Sequence, residues 1–232
     1  MTDQQYQTRK HEIGLTPSRR KFIASLTSAG AMMIGGALTR VIRGSESTLP
    51  ARHHGSSKAE RILIVYLSRT QNTEEVAKII HQSVGGDLVE IEMETPYPKD
   101  YTAIVAQVDK ENEVGYLPPL RTKIENMGAY EMVFVGFPTW DMQLPPPMKS
   151  FLKKYDLSGK TVIPFNTNGG FGIGSSFQNF KDLCPRSKLT EGFSIEGGKE
   201  KEGLLLAITG KAREEARAKV SGWLRSLELP KH

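Results

Sequence analysis

The chain has 232 residues, a formal net charge of +5 and one cysteine. That length suits one domain with an appendage, and a lone thiol excludes both an internal disulfide and a thiolate metal cluster. The charge is uneven: residues 1–59 hold nine of the 31 Lys/Arg and three of the 26 Asp/Glu, so the remainder carries 22 basic against 23 acidic groups and lacks the clustered basic face that nucleic-acid binding needs.

Residues 1–43 read as a leader. Ser18-Arg19-Arg20-Lys21-Phe22-Ile23 precedes an apolar segment, residues 24–38, rich in Ala, Gly, Ser and Thr. A charged stretch, a short apolar run and small residues make a secretory pattern. The segment is shorter than the roughly 20 residues that a spanning helix requires. The paired arginines followed by Lys-Phe-Ile resemble a twin-arginine export signal. Gly35-Gly36-Ala37 and Ser45-Glu46-Ser47 are candidate cleavage sites, while Arg40 and Arg43 fit either removal or retention as an anchor. The expectation is export by a twin-arginine route, to a periplasmic or membrane-anchored, outward-facing location. Any membrane contact would run through an uncleaved leader. Residues 44–59 read as a flexible linker, with His53 and His54 exposed in it. The folded domain is placed at 60–232.

The domain opens on Arg61-Ile62-Leu63-Ile64-Val65-Tyr66-Leu67, an apolar run long enough for one buried strand. A hydroxyl-rich turn follows, with Ser68, Thr70, Asn72 and Thr73. A strand feeding a helix through a tight polar turn directs backbone N–H groups at one spot, where the helix dipole also favours an anion. The turn lacks the lysine and glycines of a P-loop and is not G-x-G-x-x-G. It reads as a cradle for a phosphate monoester or as a plain helix cap.

Residues 72–84 are predicted as a helix, with Val76, Ile79, Ile80 and Val84 on one face and Gly85-Gly86 ending it. Asp87 to Met93 is the second strand, stopped by Pro96 and Pro98, and Tyr101 to Glu113 a helix. A third strand runs from Glu131 to Phe137, and the loop after it carries Pro138, Thr139, Trp140, Asp141 and Pro145-Pro146-Pro147. An aromatic ring on a rigid loop at a strand's C-terminal end suits a stacked planar ligand or a buried loop anchor. Residues 148–155 are a predicted helix and 161–166 the fourth strand. The glycines of Thr167-Asn168-Gly169-Gly170-Phe171-Gly172 then suit either a backbone in close approach to a ligand or a plain flexible loop. Residues 176–183 are predicted helical, 189–195 the fifth strand, and 199–202 a solvated charged loop. Residues 204–208 are a short apolar run with no assigned element, open to either a helix turn or an extra strand. Residues 211–227 form the closing helix, with Trp223 in the core. Cys184 is expected to be a partly buried structural thiol.

These loops resemble those of the flavodoxin-like family. The strand followed by S-x-T-x-N-T resembles its FMN-phosphate loop. Gly136-Phe137-Pro138-Thr139-Trp140 and the later Pro145 are similar to a G-[YF]-P-x-W-x-x-x-x-P loop of one subfamily. Thr167, Asn168, Gly169, Gly170 and Gly172 match its T-x-G-G-x-G loop, with Asn168 where that subfamily often has histidine. The resemblance covers residues 61 to about 228. It implies a flavodoxin-like doubly wound five-stranded parallel α/β sheet, order 2-1-3-4-5, in three α/β/α layers. It also implies FMN as cofactor. Ser68, Arg69, Thr70, Gln71, Asn72 and Thr73 would lie at its phosphate, with Arg69 facing either solvent or phosphate. Pro138, Thr139, Trp140 and Asp141 would border the isoalloxazine ring. Thr167, Asn168, Gly169, Gly170, Phe171 and Gly172 would pass its pyrimidine edge.

The leading expectation is an exported electron-transfer protein with no catalytic side chain and no metal site, serving a redox partner protein or a small-molecule electron acceptor. An FMN-dependent reductase of quinone or another small acceptor is the alternative. A flavin-free binding module of the same fold is the second.

Overall fold

The computed structural model describes residues 61–227 and Leu229. The leader, the linker and their histidines lie outside the described residues. Strand β1 (Ile62–Tyr66) is followed by α1 (Asn72–Val84), β2 (Asp87–Glu90), α2 (Tyr101–Val114), β3 (Met132–Pro138) and α3 (Pro146–Lys154). Then come β4 (Thr161–Asn168), α4 (Ser176–Leu183), β5 (Lys188–Leu189), β6 (Phe193–Glu196) and α5 (Gly210–Ser226).

The strands are parallel in the order β2-β1-β3-β4-β5, with β6 also paired to β4. The anticipated fifth strand is therefore present in two pieces. β5 pairs with the start of β4, at Thr161 and Val162, and β6 with its end, from Phe165 to Asn168. Pro164 accounts for the break. Thr190 N donates to Val162 O at 3.1 Å, so the even residues of β4 face the fifth strand. Pro164 falls in that set and has no N–H to offer. Opposite it, the residues between β5 and β6 include one more than β4 does, which makes a bulge.

Alternation along the strands builds two apolar layers. Leu63, Val65, Val133, Val135, Phe137 and Val162 pack against Met148, Phe151 and Leu152 of α3 and Phe180 of α4. Ile62, Ile64, Phe134, Ile163 and Phe165 pack against Val76, Ile79 and Ile80 of α1 and Ala216 and Val220 of α5. Each such side chain taken fully from water contributes about 1.5–3 kcal/mol. Trp223 joins the second layer edge-on to Phe134, with ring centroids 6.2 Å apart, as its periodicity predicts. Cys184 is buried, which pushes its thiol pKa up to about 11 and suits the structural thiol expected there.

Local chemistry sets the element ends. Asp100 caps α2, accepting from Ala103 N at 2.8 Å, and left-handed Gly115 closes it. Helix α3 begins at Pro146, two residues before the predicted start, because proline needs no N–H partner in a first turn. Helices α1 and α5 are joined by Arg213 Nε donating to Glu75 at 2.7 Å.

Candidate functional site

The loops after β1, β3 and β4 leave the same edge of the sheet, and Thr167 joins them. Its hydroxyl shares a 2.8 Å hydrogen bond with that of Thr73, and its carbonyl accepts from Thr139 N at 2.9 Å. Thr167 is buried, so both bonds are shielded from water. One residue at the end of β4 thus fixes the other two loops.

In the first loop, Ser68 Oγ accepts from Glu74 N at 3.3 Å, and Glu75 N donates to Gln71 O at 2.9 Å. The backbone N–H groups of residues 69–73 donate to no group among the described residues. Gln71 is exposed and left-handed, with φ 64°. A left-handed residue within a run of free N–H groups is the backbone geometry of an anion nest. Helix α1 starts at the next residue, so its dipole adds to the same field.

Two side chains of this loop face elsewhere. Arg69 faces neither solvent nor the nest. Its Nε donates to both oxygens of Glu200 at 2.9 Å, Nη1 to Pro98 O at 2.8 Å and Nη2 to Lys99 O at 2.7 Å. The same contact corrects the reading of residues 199–202 as a solvated loop, since Glu200 turns inward to the guanidinium. The Asn72 amide is also fully engaged. Nδ2 donates to Thr70 O, Thr70 Oγ1 and Leu205 O, while Oδ1 accepts from Ala207 N and Ile208 N. Residues 205–208, unassigned from sequence, are therefore strung on Asn72 rather than held by a helix or strand of their own.

The second loop is a tight turn. Trp140 and Gln143 exchange backbone hydrogen bonds across Asp141 and Met142, whose φ values are 48° and 53°. Two non-glycine residues in the left-handed region mark stored strain that the surroundings must hold in place. The third loop supplies part of that hold. Ser175 N donates to Met142 O at 2.8 Å, and a Cβ on Gly174 would lie 2.0 Å from the same oxygen. Asn168 Oδ1 accepts from Gly170 N at 3.0 Å and Gly172 N at 3.2 Å, which shapes the glycine run. Phe171 at its tip is 81% exposed.

The structure adds residues that were not anticipated. Tyr97 meets Trp140 edge-on with ring centroids 5.4 Å apart, and its hydroxyl donates to the buried Glu111 of α2. Burial, then that carboxylate, push the tyrosine pKa far up, so it stays a neutral donor. Its position within Pro96-Tyr97-Pro98, just beyond β2, was the available signal.

The Flavodoxin family model matches residues 61–208, more than half of the chain. The chain belongs to the flavodoxin family. Among solved structures, this flavodoxin is 29% identical to a protein described as a flavoprotein from Bacteroides eggerthii, covering 73% of this chain and 99% of that one with a TM-score of 0.59. A similarly described protein from Bacteroides uniformis is 24% identical, with coverages of 71% and 97% and a TM-score of 0.57. A Lactobacillus acidophilus flavoprotein solved in complex with FMN is 18% identical, with coverages of 62% and 98% and a TM-score of 0.52. The last two likenesses establish the fold alone. No curated protein matches the chain.

The residues present fit the family's cofactor. The free N–H groups after β1 suit a phosphate, and they need no cation from Arg69. The strained turn bearing Trp140 and the glycine loop stand beside that nest through Thr167, as a phosphate and a flat ring on one molecule would require.

Proposed function

We propose that this flavodoxin is exported, binds FMN and passes electrons between a donor and an acceptor. The phosphate lies on residues 68–73 and the ring borders Trp140. The observation that carries this reading is the junction at Thr167, which holds the anion nest, the tryptophan turn and the glycine loop at one rim. The FMN-bound Lactobacillus acidophilus relative of the same fold supports it.

Bound FMN supplies the redox chemistry of its ring. The chain's part is to hold and to insulate. The nest offers neutral N–H donors, with the hydroxyls of Ser68 and Thr70 beside them. Thr167 and Asn166 keep Thr139 in place; Asn166 Nδ2 donates to Phe137 O at 3.1 Å and Thr139 Oγ1 at 3.0 Å. Asn168 keeps the glycine run open to a ligand edge.

The purified protein is expected to be yellow and to release FMN on acid treatment. Thr70→Val should weaken FMN binding by about tenfold, the size of one lost charge-assisted hydrogen bond, with the unfolding midpoint nearly unchanged. An unchanged dissociation constant would remove Thr70 from the phosphate site. Export rests on the leader, Ser18 to Ile23. Replacing Arg19 and Arg20 by lysine should leave the protein in the cytoplasm on cell fractionation, and undiminished export of that variant would overturn the twin-arginine route.

A further inference from the structure

The turn that carries Trp140 is closed from below by a ring of four side chains. Lys149 in α3 donates from Nζ to the side-chain oxygens of Asn112, at 2.9 Å, and Gln143, at 2.7 Å. The amide nitrogens of the same two residues both donate to Asp141 Oδ2, each at 3.1 Å. Each amide therefore has one orientation, oxygen to the ammonium and nitrogen to the carboxylate. Ammonium and carboxylate are coupled through two aligned dipoles. The ring spans the last turn of α2, the turn itself and the first half of α3. All four residues are half-buried.

A purely structural role would not call for this composition. Holding left-handed Asp141 and Met142 costs about 1–2 kcal/mol per residue, and neutral hydrogen bonds could meet that need. A lysine instead gives up about 2 kcal/mol of side-chain freedom and part of its hydration to sit here. Burial lowers its pKa, against the opposing pull of Asp141. What lysine adds is a fixed positive charge directly beneath the tryptophan turn, where dielectric screening is weaker than at the open surface.

We propose that Lys149 is a positioning residue with two linked duties: it locks the Trp140 turn, and it keeps a cation near the flavin ring that favours the reduced, more negatively charged cofactor over the oxidised one. This rests on the FMN reading above. Two features separate its role from general scaffolding. The four hydrogen bonds of the ring run among Asn112, Asp141, Gln143 and Lys149, outside residues 68–73, and the lysine's charge can be removed while its length is kept.

The test uses the full chain labelled with 5-fluorotryptophan, the Trp140 resonance being assigned with Trp140→Phe. Dissociation constants for oxidised and reduced FMN are measured on the same samples. Lys149→Met is expected to shift the Trp140 resonance before any flavin is added. It should also lower the preference for reduced over oxidised FMN by about tenfold. Lys149→Arg should keep both properties near the parent values. Adding Asp141→Asn to Lys149→Met should recover part of the lost preference, since the opposing charge is then gone as well. Should Lys149→Met not fold, Lys149→Gln tests the same charge at similar length. A Trp140 resonance and a redox preference that both stay put would overturn the proposal. A moved resonance with an unchanged preference would overturn the charge role and leave a scaffold. Failure of the parent protein to bind FMN would refute the flavin reading itself, while the fluorine spectrum would still report on the ring.

Discussion

Asn72→Ala is expected to destabilise the fold by about 3 kcal/mol and to loosen FMN binding by about tenfold at the same time. The amide makes five hydrogen bonds from a buried site, two of them within the nest and three to residues 205–208. Truncation leaves Leu205 O and the N–H groups of Ala207 and Ile208 without their partner. An unsatisfied buried group costs about 1–3 kcal/mol, and partial hydration of the loosened segment returns some of that. Thr70 loses the donor that fixes both its carbonyl and its hydroxyl, so the nest loses preorganisation as well. Asn72→Asp separates the two effects. It keeps the acceptor for Ala207 and Ile208 but sets a negative charge beside the nest and against Leu205 O. It should therefore lose more FMN affinity than the alanine variant for less loss of stability. Denaturant midpoints and FMN titrations of both variants check this. Parent-like stability of Asn72→Ala would show that the 205–208 segment does not depend on Asn72.

Gly136→Ala carries the other large effect, of about 3 kcal/mol or more against folding. Gly136 lies in β3, between β1 and β4, and a Cβ there would sit 2.1 Å from Cζ of Phe165 and 2.3 Å from its Cε2. Phe165 is fully buried between the sheet and helices α1 and α5, so its ring has no free direction in which to move. A glycine in a central strand is normally a weakness; here the ring of the neighbouring strand fills the place of its missing side chain. Phe165→Leu made together with Gly136→Ala should relieve the clash. The double variant should then be more stable than the sum of the single losses by at least about 1 kcal/mol. Strict additivity would mean that the two residues do not compete for this space.

Much of the sheet was legible because its signals are local. The run from Ile62 to Leu67, the helical spacing through Val84 and the closing helix with Trp223 each announce themselves in one window. The loops were legible by residue type, since hydroxyls, a tryptophan and glycines after strands belong to a binding edge in a doubly wound sheet. What escaped depends on partners far apart in sequence. Arg69 meets Glu200, and residues 205–208 hang on Asn72; no periodicity carries such information. The break in the fifth strand is dictated from outside it, by Pro164 on β4. The ring beneath Trp140 draws Asn112 and Lys149 from two different helices, and Tyr97 reaches Trp140 from between Pro96 and Pro98, which signal only the end of a strand. Pro145 to Pro147 read as part of a rigid loop, yet the later two begin a helix, where missing N–H groups are harmless.

The most direct measurement compares two ligands on the apoprotein, FMN and riboflavin, which differ by the phosphate alone. With the phosphate seated on the free N–H groups of residues 69–73, FMN should bind about a hundredfold more tightly or better, as expected from two charge-assisted hydrogen bonds. Equal affinities, or no uptake of either flavin, would contradict the account.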